Sequence, residues 1–210
     1  LRIWGRGVDT EFFSPDHRSE ELRRVVAPDG EKVILYVGRL APEKRLGVLL
    51  EAFPLIRKVM GPRVTLVLVG DGPWMSRLRD AAMDGVHLLG YRVGLSLAQA
   101  YASGDVFAFP SDTETFGNVV TEALASGLPV VAPAKGGVVD SVISGKTGIL
   151  VKPGSPNALA NAVTALLSHD EARSRLSRGA RAHALSRSWE AILDRLMADY
   201  QDAVGSGTGS

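Results

Sequence analysis

Two uninterrupted apolar runs, each closed by a glycine, narrow the folds open to this chain. Val33-Ile34-Leu35-Tyr36-Val37 ends at Gly38, and Val64-Thr65-Leu66-Val67-Leu68-Val69 ends at Gly70. A strand with one wet face alternates apolar and polar residues, whereas a strand covered on both faces reads as a continuous apolar run. The two runs therefore predict a sheet buried between two layers. Shorter runs at 86–89, 106–109, 130–132 and 148–151 continue the series, with helical stretches between them at about 44–59, 74–83, 95–103 and 117–126. Strand alternating with helix gives a parallel sheet with right-handed crossovers. The expected fold class is α/β, a Rossmann-like doubly wound parallel sheet. Pro54 falls inside the first of these helices and predicts a kink or an early stop there.

After residue 155 three helical segments follow, at about 155–168, 170–184 and 188–203. Leu159, Val163, Leu166 and Leu167, and later Ile192, Leu193, Leu196 and Tyr200, recur at helical spacing. These helices are expected to cover the sheet's edge or to reach toward another domain. The arginines at 173, 175, 178, 181 and 187 are interspersed with Asp170, Glu171, Glu190 and Asp194, which reads as a solvated helix face. Residues 1–16, with Gly5, Gly7 and Pro15, read as an interdomain linker segment. Residues 17–204 read as one domain and 205–210 as a flexible tail.

Length and composition bound the function. A chain of 210 residues, 45% hydrophobic and 22% charged, suffices for one α/β domain with a sizeable core. A net charge of +1 gives no electrostatic basis for holding nucleic acid. The absence of cysteine excludes a disulfide framework and a thiolate metal site. His17, His87, His169 and His183 have no ligand spacing, so no metal is expected. No apolar run approaches the roughly 20 residues that span a bilayer. The chain opens on Leu without a signal-peptide pattern, and the expectation is a piece of a longer protein.

The stretch from Ser111 to Ala123 carries the chemistry. Glu114 and Glu122 lie eight residues apart around the start of a predicted helix, after the apolar run 106–109. Free N–H groups at a helix start take phosphate or sugar oxygens, and ionised carboxylates accept hydroxyls. That combination fits a nucleotide-sugar better than a bare nucleotide. Glutamates at a helix start are also favoured by the helix dipole alone. Glu114, however, sits in a loop with Asp112, flanked by Thr113, Thr115 and Gly117, at the end of a strand, and this favours a ligand. Gly38-Arg39-Leu40-Ala41-Pro42-Glu43-Lys44-Arg45 also opens a helix. In a doubly wound sheet it would put Arg39 and Lys44 at the carboxyl edge, where ligands sit. Without an anion nearby these would be two solvated cations placed against the dipole. Gly70-Asp71-Gly72-Pro73 lacks the third glycine of a dinucleotide fingerprint, because Met75 occupies that position; it reads as a tight turn with Pro73 in the first turn of a helix. Gly145-Lys146-Thr147 resembles the end of a P-loop, but Asp140 stands where the first glycine should be and a strand follows, so it reads as a turn.

Taken in order, these residues resemble the C-terminal, donor-binding half of a retaining GT-B glycosyltransferase of the large family 4, group 1. The resemblance covers nearly the whole chain. It rests on Gly7 to Pro15, on Val37 to Lys44, on Val69 to Pro73, on the glutamate–seven residues–glutamate pattern of Glu114 and Glu122, and on Ser188-Trp189-Glu190 with the helix that follows. It implies a hexosyltransferase in which Arg39 and Lys44 neutralise the donor diphosphate and Glu114 holds the transferred sugar. Thr115, Phe116 and Gly117 would line the sugar, Asn118 and Val119 would offer amides to phosphate, and Glu122 would accept the ribose hydroxyls. Tyr91 and Arg92 would border the base together with Gly70, Asp71 and Gly72, and Gly38 would lie against the phosphates. It implies no metal and no cofactor beyond the donor, retention of α configuration, and a partner N-terminal acceptor domain without which this piece binds donor weakly and does not turn over. A bacterial, cytoplasmic setting follows, with peripheral contact to the inner membrane face if the acceptor is a lipid. Trp4-Gly5-Arg6-Gly7-Val8-Asp9 resembles lipid-directed mannosyltransferases and sulfoquinovosyltransferase-like enzymes. That implies GDP-mannose as donor and a glycolipid or other saccharide as acceptor. A glucosyl or sulfoquinovosyl transferase using a UDP-sugar, a non-catalytic nucleotide-sugar module and a UDP-sugar epimerase half are the alternatives.

Overall fold

The computed structural model describes residues 7–113 and 117–206. Six strands, β1 (Lys32–Val37), β2 (Val64–Val69), β3 (Val86–Gly90), β4 (Val106–Ala108), β5 (Val130–Pro133) and β6 (Gly148–Val151), form one parallel sheet in the order β3-β2-β1-β4-β5-β6. From β1 the chain steps outward to β2 and β3, then returns to the other side of β1 for β4, β5 and β6. The direction reverses between β1 and β4, and at such a switch point a crevice opens outside the carboxyl ends of the strands. The continuous apolar runs behave as expected: all of β2, and all of β1 except Lys32, are buried. At the sheet's edge, β3 is half-buried along its whole length.

Eight α-helices lie among the described residues: α1 (Glu20–Val26), α2 (Leu46–Met60), α3 (Met75–Ala81), α4 (Leu95–Ala102), α5 (Asn118–Ala125), α6 (Pro156–Ser168), α7 (Asp170–Leu185) and α8 (Trp189–Ser206). Sequence periodicity does not anticipate α1. It has seven residues, one of them buried, and it is started by Ser19 Oγ accepting from the Leu22 amide at 3.1 Å. The second helix passes through Pro54 to Met60. Pro54 has no N–H for the Leu50 carbonyl, a loss of about 3 kcal/mol. Leu49, Phe53 and Ile56 on the same helix are fully buried, and at about 1.5–3 kcal/mol each their burial outweighs that loss. This face packs on α6, whose Leu159, Val163, Leu166 and Leu167 are also buried. In turn α7 packs on α5. Trp189, Leu193, Met197 and Tyr200 are exposed, at spacings that align them along one side of α8.

The described part of the segment read as a linker is fastened to the domain. Val8 and Phe13 are buried, and the Val8 amide donates to the Arg187 carbonyl at 3.1 Å. Phe13 meets Tyr101 edge to face at 5.5 Å. Arg181 departs from the solvated-face expectation. Its Nη1 donates to the carbonyls of Thr10 and Phe13 at 2.9 Å each and of Ala125 at 2.6 Å, tying this segment to the end of α5. The 145–147 segment is the expected turn, with Thr147 buried and its Oγ1 accepting from the Ile143 amide at 2.8 Å.

Candidate functional site

The loops after β1 and β2 continue the pairing of their strands. The Gly38 amide donates to the Val69 carbonyl at 3.0 Å, the Leu40 amide to the Asp71 carbonyl at 2.9 Å and the Trp74 amide to the Leu40 carbonyl at 3.0 Å. This close approach explains the Gly-x-Gly. A Cβ on Gly70 would stand 2.0 Å from the Gly38 carbonyl oxygen, and one on Gly72 would stand 2.5 Å from that of Leu40. Both glycines also hold left-handed backbone, with φ of 136° and 157°. The expected tight turn is present, with the Met75 amide donating to the Gly72 carbonyl at 3.0 Å. Pro73, however, lies in that turn and not in the helix, because α3 begins at Met75. The glycines also let backbone lie on backbone. Beneath the loop, the buried Tyr36 donates its hydroxyl to the Arg39 carbonyl at 2.9 Å.

Beyond these strand ends opens a cavity of about 590 Å³. Its walls include Gly38, Arg39, Gly70, Asp71 and Gly72 from the two loops. Tyr91 and Arg92 come from the loop after β3, and Val119 and Glu122 from α5. The structure thus brings together nine residues that the sequence had proposed for one site. Four more, Val37, Val69, Val93 and Leu97, give it apolar walls. Val37, Val69 and Leu97 hold strand and helix positions that read as core, and Val93 is a lone apolar residue in the loop after β3, so no local signal marks them as lining. Asp71 turns its Oδ1 to its own loop, accepting from the Gly72 amide at 2.7 Å. Arg92 donates from Nε to the Leu89 carbonyl at 3.0 Å, and Tyr91 is 75% exposed at the rim.

The remaining proposed residues lie elsewhere or outside the description. Lys44 ends the 3-10 turn Pro42–Lys44 and does not line the cavity. Gly117 takes φ 62° and starts α5, its carbonyl accepting from the Val120 and Thr121 amides at 2.8 and 3.1 Å. Asn118 lines a second cavity of about 460 Å³ with Thr121, Trp189 and Val8, and Glu122 is common to both cavities. Glu114, Thr115 and Phe116 lie outside the described residues.

Glu122 presents to the cavity a carboxylate held from beneath by a buried side chain. Its Oε2 accepts from the hydroxyl of Tyr101, fully buried, at 2.8 Å. Burial pushes the Glu122 carboxyl above the usual glutamate range, and the Tyr101 hydrogen bond only partly opposes the shift. Burial first, then the charge of Glu122, push the Tyr101 hydroxyl well above its ordinary value, so it remains a donor. On the other side of the switch point, Asp112 is reached by Arg45 at 3.3 Å and by Lys135 at 3.4 Å. Lys135 carries no signal in the sequence, because a lone lysine after a strand has no pattern. Chemically, the cavity offers backbone and apolar walls to a planar base, a fixed carboxylate to vicinal hydroxyls, and Arg39 to an anion. Among the described residues no group of three or more His, Cys, Asp or Glu is placed to hold a metal ion, and no helix is long and apolar enough to cross a membrane.

A family described as glycosyl transferases group 1 matches residues 31–169. A GDP-mannose-dependent alpha-mannosyltransferase of Mycobacterium tuberculosis is 43% identical over 206 residues, covering 98% of this chain and 52% of the relative. Sulfoquinovosyl transferase SQD2 of Arabidopsis thaliana is 38% identical over 213 residues, covering 97% of this chain and 40% of the relative. The chain spans about half the length of the curated relatives it matches. Among solved structures, Anabaena HepE in complex with UDP and glucose superposes with a TM-score of 0.80 at 27% identity, over 96% of this chain and 57% of that one. Sucrose-phosphate synthase from Thermosynechococcus elongatus does so with 0.81 at 30% identity, over 98% and 53%.

Proposed function

We propose, from the premise that the chain belongs to the glycosyl transferases group 1 family, that it is the donor-binding half of a retaining, metal-independent hexosyltransferase. It moves an α-mannosyl group from GDP-mannose to a glycolipid or other saccharide acceptor held by an N-terminal domain. The observation that carries this reading is Glu122, fixed by Tyr101 at the edge of a cavity whose other walls combine glycine backbone and apolar side chains with Arg39, Asp71, Tyr91 and Arg92. An acceptor-only carboxylate there suits the two hydroxyls of a ribose, and the apolar walls suit a base bordered by Tyr91 and Arg92. Arg39 and Lys44 neutralise the diphosphate as it departs, the charge stabilisation that a metal would otherwise supply. Glu114 and the backbone of Thr115, Phe116 and Gly117 hold the sugar, while the Asn118 and Val119 amides meet phosphate. The choice of mannose follows the similarity to mannosyltransferases, and the enzyme is placed in the cytoplasm, at the membrane's inner face where the acceptor is a lipid.

The competing reading is a UDP-sugar donor, favoured by the HepE complex with UDP and glucose and by the sulfoquinovosyl transferase similarity. Calorimetric titration of the complete protein with GDP-mannose and UDP-glucose, without added metal, separates the two. In the same protein Arg39→Ala and Glu114→Ala are expected to lower transfer by about 100-fold or more while the fold survives. Normal turnover in both variants would sink the roles given to Arg39 and Glu114, whereas a complete protein that binds donor and never transfers it would favour a binding module.

A further inference from the structure

We propose that Asp112 is a positioning residue, a charged peg that holds the loop carrying Arg39 and Lys44 against the other loops of the sheet edge. The inference rests on the donor-binding reading above. Three loops meet at this carboxylate. Arg45, from the β1–α2 loop, brings Nε to 3.3 Å from Oδ1, and Lys135, after β5, brings Nζ to 3.4 Å from Oδ2. Asp112 itself follows β4. Its side chain is 7% exposed, whereas those of Arg45 and Lys135 are 54% and 62% exposed. Two outer cations thus grip one inner anion from different loops, one on each oxygen. A second stitch runs alongside: Thr113 Oγ1 donates to the Glu43 carbonyl at 3.3 Å, within the same β1–α2 loop.

The backbone at Arg45 marks where the grip is applied. Arg45 takes left-handed dihedrals, φ 52° and ψ 26°, between the 3-10 turn that ends at Lys44 and the first residue of α2. A non-glycine residue held there is strained and persists because its surroundings fix it. The ion pair with Asp112 is such a fixation, one residue beyond Lys44. Neither Arg45, Asp112 nor Lys135 lines the cavity, so the cluster acts through the loop rather than on the nucleotide. Burial raises the Asp112 carboxyl, but the Lys135 hydrogen bond and the Arg45 charge outweigh it and hold it below the usual carboxylate range. The peg therefore stays charged at neutral pH. Half-exposed cations make such pairs weak sources of stability, so the geometry they impose is the larger consequence.

The test compares Asp112→Asn, Arg45→Gly and Lys135→Met in the complete protein. It reads melting temperature, affinity for GMP and UMP, and kcat and KM with GDP-mannose and UDP-glucose. The monophosphates probe the nucleoside side, and the nucleotide-sugars probe the diphosphate held by the pegged loop. Asp112→Asn is expected to leave monophosphate affinity within about twofold and to lower kcat by about 100-fold, the cost of a displacement near 1 Å at reacting groups. Asp112→Glu should restore part of the rate. Arg45→Gly relieves the backbone strain and should lose rate in the same manner without a lower melting temperature. Variants with wild-type kcat and KM, or with monophosphate and donor affinity falling together with melting temperature, would overturn the peg. Wild-type protein that binds no nucleotide would overturn the donor-binding reading and this inference with it; wild type that binds and transfers, with variants that match it, would overturn this inference alone.

Discussion

The two sides of the switch point are built from different materials. On the β1–β2–β3 side the site is backbone: the β1 and β2 loops are hydrogen-bonded to each other, and the glycines at 70 and 72 leave no room between them. On the β4–β5 side it is charge: Asp112 is held by Arg45 and Lys135 across gaps of 3.3 and 3.4 Å. Backbone contact cannot be relaxed by turning a side chain, so the side proposed for the nucleoside is formed before any ligand arrives. Ion pairs with half-exposed partners adjust, so the side proposed for the sugar is set more softly.

The largest effect should come from breaking the backbone side. Gly70→Ala puts a Cβ 2.0 Å from a carbonyl oxygen at a positive φ, and neither a rotamer nor a flexible neighbour relieves it. A loss of about 3 kcal/mol or more is expected, with nucleotide binding abolished. Gly30→Ala is the control: φ is +79° but nothing lies within 4 Å, so about 1 kcal/mol is expected from the backbone alone. Urea melts of the two variants measure the difference, and equal losses would mean that the loops can part.

This contrast also explains what the sequence makes legible. The strand pattern, the helix alternation and the carboxyl-edge placement of Gly38, Gly70 and Glu122 are local or periodic, and local signals survive in a single chain. Hidden were relations between loops. The Gly-x-Gly reads only as a turn, which it is, and the facing carbonyls of Gly38 and Leu40 that require both glycines lie 30 or more residues away in sequence. Arg181 reads as one of a row of solvated arginines until three carbonyls converge on it. Asp112 stands out in sequence only as a neighbour of Glu114, and nothing near it points to Lys135, 23 residues away. The missed helix α1 is too short to show a period.

A smaller effect tests whether Glu122 belongs to the rigid side. Glu122→Gln keeps an acceptor for Tyr101 but removes the charge, so the fold should survive while nucleotide affinity falls about tenfold or more. The pH dependence follows from the direction of the shift. The folded-state value lies above the unfolded one, so the folded protein holds the proton through the window between ordinary and raised glutamate. Stability from this group is therefore present below the unfolded value and lost as pH rises through that window. Glu122→Gln should accordingly be the more stable protein at neutral pH and gain nothing at acid pH. Affinity runs the opposite way: wild-type nucleotide binding should weaken as pH falls through the same window, because a protonated carboxyl accepts hydroxyls poorly. Titration calorimetry across pH 4–7 reads both proteins; a pH-independent wild type would remove Glu122 from the ribose.

The smallest expected change, and the one that most sharpens the comparison, is Tyr101→Phe. The hydroxyl is buried and Tyr101 does not line the candidate nucleotide cavity, so its loss is felt through Glu122. Removing one donor from a partly buried carboxylate should cost about 1 kcal/mol of stability at neutral pH. The Tyr101 hydrogen bond is what lowers the Glu122 value against burial, so deleting it moves that value further up. The acid limb of nucleotide binding should then shift toward neutral pH while affinity well above the limb changes by no more than about threefold. A shifted limb would mean that a buried hydroxyl tunes the site through one carboxylate. An unmoved limb, with Glu122→Gln still defective, would mean that the charge of Glu122 matters but that burial, and not the Tyr101 hydroxyl, sets where it titrates.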